Sequence, residues 1–440
     1  MTPEADDTIA AIATAAGVGG VGIIRLSGPR AIEIAAAALG LAPALLDRTV
    51  RVGWARDLGG ARLDQVLAFA MRAPASFTGE DVAELHGHGG THNLGKLLAS
   101  VVERGARIAE PGEFTRRAVS HGKLDLLRAE ALIEVIHAGS ERAWRLAQGN
   151  LAGRLGERVA GLEGRALAML AEIEGAIDFP EDDLETQSST WILEELASLE
   201  TACAALANGF RHGQAISKGI TVALVGPVNV GKSSLLNVLV GSERAIVAAE
   251  PGTTRDWLEV AAIWDGVAVT LIDTAGHRAT DDRIEQRGIA LGEQRVATAD
   301  VVVVINDGVA TWDDGSRYGA RAVVVRSKSD LGGDPRGAIS TSSTTGDGLD
   351  ELRRRVLAVG GVAEREGSEH AVVTTARQQA LAGAARDAFA AAREVWIAKR
   401  PMEVVAVELR QAAQTLAQLR GVEVGDRVLD EVFARFCIGK

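Results

Sequence analysis

Residues 226–233 carry the residue types needed to hold a chain of phosphates. Their sequence, GPVNVGKS, matches the pattern G-x-x-x-x-G-K-[ST], with a predicted strand at 220–225 before it and a helix-prone segment at 234–240 after it. Glycines let backbone N–H groups wrap the phosphates, the Lys232 ammonium neutralises their charge, and the Ser233 hydroxyl supplies an oxygen for Mg²⁺. The segment therefore predicts a site for a nucleoside triphosphate.

Two further segments are spaced as this chemistry requires. Asp273 begins a D-x-x-G motif at the end of a predicted strand, where its carboxylate can hold Mg²⁺ through water and the Gly276 N–H can sense the terminal phosphate. Thr254 lies in the loop between the two motifs and can complete the Mg²⁺ shell. Without the flanking motifs, an ordinary solvated loop would explain this Thr equally well.

The tetrapeptide Ser-Lys-Ser-Asp at 327–330 favours guanine. The Asp330 carboxylate can accept from both the N1–H and the 2-amino group of guanine, a pair of donors that adenine lacks. Such motifs usually begin with Asn. The shorter Ser327 hydroxyl cannot make the contacts of the amide, so weaker guanine affinity is expected. Residues 342–344 can add a backbone contact to the base. In this order the motifs predict a GTP-binding domain, with an ATPase as the nearest alternative.

The elements around these motifs predict an α/β domain inserted into a helical one. From about residue 219 strands alternate with helices, which indicates a mostly parallel sheet. The predicted strands are 220–225, 267–272, 301–305 and 322–325. Helical periodicity fills about 130–210 and returns after about 361, where it predicts helices at 376–397, 402–419 and 424–436. Neither flank alone offers enough apolar faces to close a core, which favours one helical domain made of two segments. Two separate helical domains would give a similar pattern.

The N-terminal part predicts a third, smaller domain of α+β type. Strand-like runs at 21–26 and 66–71 surround a short helix at 31–39, separated by Gly-rich turns. The predicted domains are 1–118, 119–217 with 362–440 for the two helical segments, and 218–361 for the inserted domain. The predicted fold class is thus multidomain, α+β and α/β. A chain of 440 residues is long enough for roughly three domains at about 150 residues each.

Composition argues against several classes of function. Lys and Arg number 47 against 59 Asp and Glu, a formal charge of −12, so the molecule as a whole repels phosphate backbones and any nucleic-acid contact must be a local patch. Only 4% of residues are aromatic, which argues against a stand-alone module that stacks bases. Two cysteines fit a reducing compartment. Neither an export signal nor a membrane span is predicted, so a cytoplasmic protein is expected.

These motifs, together with several others, resemble the MnmE (TrmE) family of bacterial tRNA-modification GTPases along the whole chain. The other motifs are GGVGIIRLSG at 19–28, SFTGEDVAELHGHGG at 76–90, PGEFTRRA at 111–118, DFPE at 178–181 and FCIGK at 436–440. The resemblance implies an N-terminal folate-binding and dimerisation domain, a central helical domain and an inserted Ras-like P-loop GTPase domain.

The resemblance also implies a potassium-activated GTPase. Asn229, Ala248, Glu250 and Thr253 fall where the family holds K⁺, and an ion beside the phosphates can do the charge work of an arginine finger, worth about 10³ to 10⁵ in rate. Ala275 stands near the usual place of a water-orienting Gln. In the family a later Glu has that role, and by position it is Glu285. The implied catalytic residues are therefore Glu285 and Lys232. The implied GTP-binding residues are Asn229, Val230, Gly231, Lys232, Ser233, Ser234, Ala248, Ala249, Glu250, Pro251, Gly252, Thr253, Thr254, Asp273, Thr274, Ala275, Gly276, Ser327, Lys328, Ser329, Asp330, Ser342, Ser343 and Thr344.

A reduced folate, 5,10-methylene- or 5-formyl-tetrahydrofolate, is the second implied ligand. By position, its contacts are Arg25, Glu84, Lys123 and Lys440. A carboxylate can pair with the aminopyrimidine edge of a pterin, while Arg and Lys can meet its glutamate tail. The nearby His-x-His of 86–88 lacks a third metal ligand of matched spacing, and its Gly neighbours indicate a tight turn.

The implied function is a GTPase that acts as a homodimer on tRNA. With a flavoprotein partner, MnmG (GidA), in a heterotetramer, it would install an aminomethyl or carboxymethylaminomethyl group at C5 of the wobble uridine (U34), using GTP, Mg²⁺, K⁺ and the folate. One alternative is a regulatory switch that binds a ribosome or another protein without modifying RNA. A folate enzyme with a vestigial nucleotide domain is disfavoured by the intact Lys232, Ser233 and Asp273.

Overall fold

The computed structural model describes residues 7–178, 189–241, 258–273, 294–307, 312–332, 336–362, 371–422, 424–436 and 438–439. Its contacts divide the chain into two compact units, Met1–Ile133 with Arg420–Lys440, and Glu134–Leu419. Over the described residues, no helix has the length and apolar character needed to cross a membrane. The predicted domain boundaries stay predictions.

A six-stranded sheet forms the centre of the first unit. Its strands are β1 (Ile9–Ile12), β2 (Val21–Ser27), β3 (Arg51–Arg56), β4 (Arg62–Met71), β5 (Val82–His88) and β6 (Arg107–Ile108). Their spatial order is β3-β4-β5-β2-β1-β6, and all neighbours are antiparallel except β1 and β6. Since side chains alternate along a strand, Val66 and Ala68 of β4 are buried while Leu67 between them is exposed. The sheet thus buries one face in the core of this α+β unit.

Two helices, Ala31–Leu39 and Thr91–Val102, pack on the buried face of this sheet. The helices of the first unit are Ala31–Leu39, Thr91–Val102, Glu113–Ser120, Leu126–His137, which continues into the second unit, and Asp426–Phe433. Leu94 and Leu97 of one helix pack with Ile24 and Leu85 of the sheet in a single apolar cluster. The predicted helix at 31–39 is confirmed with the same bounds. The predicted helix at 424–436 is shorter, because it begins only after Gly425, which has an extended backbone.

The tight turn predicted at the His-x-His segment is wrong. His86, Gly87 and His88 are the last residues of β5, paired with β2 and, at His86, with β4. Gly87 is needed for packing: a Cβ atom there would lie 2.6 Å from an oxygen of the Asp64 carboxylate and 2.8 Å from Leu97. The glycine lets β5 approach its neighbours closely rather than reverse direction.

The second unit contains a helical part made from two chain segments. Its helices are Glu141–Leu151, Arg154–Asp178, Ser189–Asn208, Phe210–Lys218, Ala376–Ile397 and Met402–Arg420. The helices Ser189–Asn208 and Ala376–Ile397 pack along each other, and the Arg393 guanidinium donates to the Glu200 carboxylate at 2.9 Å. The two segments therefore share one core, as predicted, rather than forming separate domains.

A parallel sheet lies between these two helical segments in the chain. Its strands are β7 (Ile220–Val225), β8 (Leu258–Trp264), β9 (Val267–Asp273), β10 (Val301–Asn306), β11 (Ala322–Arg326) and β12 (Ile339–Ser340). The order is β12-β11-β10-β7-β9-β8, and every pair is parallel except the β8–β9 hairpin. The helices Lys232–Val240 and Leu349–Val359 pack on it. This confirms the expected inserted α/β domain with a mostly parallel sheet.

Strand β7 lies at the topological switch point of the sheet, where the chain connections run to opposite sides. Its neighbours are β9 on one side and β10 on the other, both parallel to it. In open α/β sheets, ligands bind at the carboxyl ends of the strands at such a point. The segment 226–233 begins where β7 ends, so the fold places it at that position.

Candidate nucleotide site

The loop after β7 is shaped by close approach of backbone segments. A Cβ atom on Gly226 would lie 2.5 Å from the carbonyl oxygen of Ile305 in β10, so only glycine allows the chain to leave the sheet here. Asn229 and Gly231 have positive φ angles of 64° and 101°, a conformation that folds the loop back before the helix begins at Lys232. The loop therefore ends with N–H groups at a helix N-terminus, where anions bind favourably.

The Lys232 side chain is buried within this loop. Only 7% of Lys232 is exposed, and its Nζ donates at 2.7 Å to the carbonyl oxygens of Gly226 and of Pro227. Burial lowers the pKa of Lys232, and the Asp273 carboxylate opposes that effect. An ammonium has three N–H donors, and the two carbonyls take two of them. The arrangement directs one positive charge into the phosphate loop.

Ser233 and Asp273 meet at the edge of the sheet. Asp273, the last residue of β9, lies opposite Leu224 of β7 and is 4% exposed. The Ser233 hydroxyl donates to the Asp273 carboxylate at 3.1 Å. Oxygen ligands of these two kinds suit Mg²⁺, which keeps several waters and takes few protein ligands. No cluster of three or more His, Cys, Asp or Glu side chains that could hold a metal occurs in the described parts of the chain.

The predicted guanine loop is bonded directly to the phosphate loop. Ser327 follows β11 and is 4% exposed; its hydroxyl oxygen lies 2.6 Å from the Val230 carbonyl oxygen and 3.1 Å from that of Asn306. The Lys328 ammonium donates to the Asn229 carbonyl at 2.9 Å. The two loops are almost a hundred residues apart in sequence, so these bonds fix the distance between the phosphate and base ends of the site.

The last predicted loop holds the Asp330 carboxylate in place. The hydroxyl of the buried Ser342 donates to Asp330 at 2.7 Å, and the Ser329 N–H donates to the Thr341 carbonyl at 3.1 Å. The same Ser342 oxygen accepts from the Thr344 N–H at 3.2 Å. Ser343 lies between them in this turn. The structure thus brings Asp330 together with 342–344, as a base-binding site requires.

Part of the predicted nucleotide site lies outside the described residues. These positions are Ala248, Ala249, Glu250, Pro251, Gly252, Thr253, Thr254, Thr274, Ala275, Gly276 and Glu285. Their assignments to the phosphates, K⁺, Mg²⁺ and the attacking water stay predictions.

In the first unit, the predicted folate residues Arg25 and Glu84 are adjacent. Arg25 on β2 faces Glu84 on β5, and its Nε donates to the Glu84 carboxylate at 2.9 Å. The Arg25 guanidinium also donates to the Gly439 carbonyl at 3.3 Å, beside Lys440, which is not among the described residues. Lys123 instead donates to the Pro74 carbonyl at 2.9 Å. The structure brings two of the four predicted residues into one cluster.

His86 also belongs to the Arg25–Glu84 cluster, although it is not among the folate-binding residues predicted from the sequence. Its Nε2 lies 2.8 Å from the second oxygen of the Glu84 carboxylate, so Arg25 and His86 engage opposite oxygens of one side chain. The available signal was the spacing of two along β5, which places Glu84 and His86 on the same face of the sheet. The interpretation of 86–90 as a turn does not use this signal, since the strand continues to His88.

The parallel sheet, the glycine-dependent phosphate loop and the bonded base loop together define a P-loop protein of the guanine-nucleotide-binding class. The family model "MnmE helical domain" matches residues 126–437, and the model "GTP-binding protein TrmE N-terminus" matches residues 8–123. The chain belongs to the MnmE family of tRNA modification GTPases and is a GTP hydrolase.

Relatives match it from end to end. The tRNA modification GTPase MnmE of Synechococcus sp. (strain CC9605) is 43% identical over 453 residues, which cover 99% of each chain. The proteins of the same name from Symbiobacterium thermophilum and Moorella thermoacetica are each 39% identical and cover 99% of this chain and all of their own. All three domains of this chain therefore have counterparts in the relatives.

Proposed function

We propose that this GTPase acts in the cytoplasm as a homodimer that modifies C5 of the wobble uridine in certain tRNAs. In this proposal a flavoprotein partner, MnmG, forms a heterotetramer with it and supplies the redox chemistry, and a reduced folate supplies the one-carbon unit. The observation that carries the proposal is the full-length relationship to proteins named tRNA modification GTPase MnmE, in a chain that keeps Lys232, Ser233 and Asp273 together.

The described residues support GTP binding and charge stabilisation at one end of the site. The loop N–H groups and the Lys232 ammonium would bind the phosphates, while Asp330 would accept from the guanine. Mg²⁺ would be held by Ser233, with Asp273 acting through water, and it neutralises charge that develops on the phosphate oxygens. In this proposal Thr254 is the second protein ligand of Mg²⁺, and Glu285 orients the attacking water.

Potassium activation is proposed through Asn229. This residue is exposed in the phosphate loop, and its amide oxygen is a neutral ligand of the type that K⁺ accepts. Ala248, Glu250 and Thr253 would complete the ion site by position. Replacing K⁺ by Na⁺ should slow hydrolysis sharply, and Asn229→Ala should remove most of this difference. Equal rates in the two salts would contradict the potassium proposal without affecting GTP binding.

Folate binding is proposed at the Arg25–Glu84 cluster. Glu84 is 8% exposed, and its carboxylate oxygens are already oriented by Arg25 and His86, which prepares the remaining lone pairs for a pterin edge. Titration of 5-formyl-tetrahydrofolate should show at least tenfold weaker binding to Glu84→Gln, the loss typical of a charged hydrogen bond, about 1.5–3 kcal/mol. Glu33→Gln, at an exposed position of the Ala31–Leu39 helix in the same unit, is the matched control and should bind normally.

The tRNA role is tested by nucleoside analysis. A deletion strain should lack the C5 substituent on wobble uridine, and the wild-type gene should restore it. A gene encoding Lys232→Ala should fail to restore it, although the protein accumulates. Intact nucleosides in the deletion strain would instead support a regulatory switch that binds a ribosome or a protein.

A further inference from the structure

Ser327 stands where an Asn is usual in guanine-binding loops, and its hydroxyl is committed to the protein. The side chain is 4% exposed, and its oxygen lies 2.6 Å from the Val230 carbonyl and 3.1 Å from the Asn306 carbonyl. A hydroxyl has a single proton to donate, and both of these neighbours are acceptors only. Whichever carbonyl receives the proton, no donor of Ser327 remains for a bound base.

An Asn at this position would behave differently, because its amide has two N–H donors. One could bind the loop carbonyl while the other served the base. Guanine has two acceptors on its other edge, N7 and O6, and N1–H with the 2-amino group as donors. This chain has an acceptor for the N1–H and 2-amino donors of guanine, namely the Asp330 carboxylate, which the buried Ser342 holds in place.

We propose that this chain recognises guanine through its N1–H and 2-amino edge and leaves N7 without a side-chain donor at Ser327. Ser327 is then a positioning residue, because its hydroxyl holds the phosphate loop at the Val230 carbonyl. It affects base specificity only because it offers no hydrogen-bond donor to N7. The consequence is tolerance of guanine nucleotides that have carbon in place of N7. The inference rests on guanine nucleotides binding at this site.

Calorimetry with the full-length protein and Mg²⁺ tests this with three nucleotides. GDP and 7-deaza-GDP should bind the wild type with the same affinity within about twofold. Inosine diphosphate, which lacks the 2-amino group, should bind at least tenfold more weakly, because it removes a hydrogen bond to a charged group. A several-fold loss with 7-deaza-GDP, or equal affinity for inosine diphosphate, would overturn the proposal. Absence of any heat with GDP would instead remove guanine-nucleotide binding itself.

Two variants separate positioning from contact with the base. Ser327→Ala loses the bond to Val230, so GDP and 7-deaza-GDP should both weaken by the same factor, about two- to tenfold. Ser327→Asn gains a second donor and should prefer GDP over 7-deaza-GDP by a similar factor. Unequal losses in Ser327→Ala would contradict the proposal, as would no preference in Ser327→Asn. The wild-type comparison decides the question even where a variant fails to fold.

Discussion

At the scale of single residues, the buried charges of Lys232 and Asp273 in the nucleotide site are stabilised by hydrogen bonds with neighbouring groups. Lys232 is buried, which alone disfavours its ammonium form, yet two backbone carbonyls accept from it and Asp273 lies near. Asp273 in turn accepts from Ser233. A cation and an anion are thus kept close together at the carboxyl end of β7 and β9, where a phosphate and a metal ion need opposite partners.

We expect Asp273→Asn to raise the Mg²⁺ concentration needed for half-maximal GTP hydrolysis by about tenfold or more, because a neutral amide attracts a divalent cation much less than a carboxylate does. The substitution keeps the size of the side chain. Steady-state hydrolysis measured across a Mg²⁺ titration checks this. Asp350→Asn, an exposed carboxylate on the Leu349–Val359 helix, is the matched control. An unchanged Mg²⁺ midpoint in Asp273→Asn would show that this carboxylate does not help to hold the metal.

A second set of charges, in the first unit, is structural. The guanidinium of Arg117, on the Glu113–Ser120 helix, pairs with Asp7, Glu80 and Glu113, while Arg107 pairs with Asp7 and Glu113. Burial raises the pKa of Glu113, but hydrogen bonds from Arg107, the backbone and Arg117 outweigh it and hold the pKa below the ordinary 4.5. Asp7 behaves in the same way, with its pKa below 3.8.

These lowered pKa values predict acid sensitivity of the first unit. A carboxylate with a lower pKa in the folded state binds fewer protons there, so its contribution is complete above the unfolded pKa and is lost as the pH falls through the folded one. The loss should therefore begin near pH 4.5 and continue below 3.8. Hydrogen exchange of peptides spanning 107–120 in the full-length protein, corrected for intrinsic rates, measures it.

Glu113→Gln tests the origin of this dependence. It should destabilise the unit by about 3 kcal/mol at neutral pH, the effect of removing one partner from a buried ion pair, and flatten the acid dependence. Glu103→Gln, which changes an exposed carboxylate nearby, should leave both unchanged. Equal acid dependence in Glu113→Gln and wild type would mean that other groups are responsible.

At the scale of elements, periodicity and turn residues predicted most of the helices and strands. The strand at 220–225 and the helix at 376–397 have the predicted bounds, because each is an uninterrupted apolar or amphipathic run. Strand β8 was not predicted, although the Asp-Gly dipeptide at 265–266 is a typical signal of a two-residue hairpin loop. In the structure both residues have positive φ and connect β8 to β9. Contacts such as that of Ser327 with Val230 could not be predicted, since no local pattern relates residues so far apart.

Two glycines in the helical part should respond to alanine with opposite signs. Gly164 lies exposed in the Arg154–Asp178 helix with nothing within 4 Å of an added Cβ, so Gly164→Ala should stabilise the protein by about 0.5–1 kcal/mol. An added Cβ on Gly213 would lie 2.2 Å from the Val373 carbonyl, so Gly213→Ala should destabilise it by about 3 kcal/mol. Thermal unfolding of the two variants provides the comparison. Similar shifts for both would contradict the close packing of Phe210–Lys218 against the second helical segment.

At the scale of the whole molecule, the inserted domain leaves and rejoins the helical part at one place. An added Cβ on Gly360 would lie 2.6 Å from the Ile220 side chain, and the Arg211 guanidinium donates to the Val359 carbonyl at 2.7 Å. The end of the Leu349–Val359 helix is therefore beside the start of β7. The domain also has its own apolar core, formed almost entirely by residues between these two points. Such an insertion lengthens the chain between the helical segments without separating their ends.

We therefore expect the predicted domain 218–361 to fold by itself and to bind GDP. Adjacent ends and a separate core are what independent folding requires. Its affinity should lie within tenfold of that of the full-length protein, a difference below about 1.4 kcal/mol. The remaining chain, with 217 and 362 joined by a short Gly-Ser linker, should keep the helical packing of Ser189–Asn208 against Ala376–Ile397. Calorimetric titration of the isolated domain and thermal unfolding of both products check this, and Lys232→Ala in the isolated domain is the control for specific binding. Absence of a cooperative unfolding transition in 218–361 would show that the helical segments are needed to complete the core of the nucleotide domain.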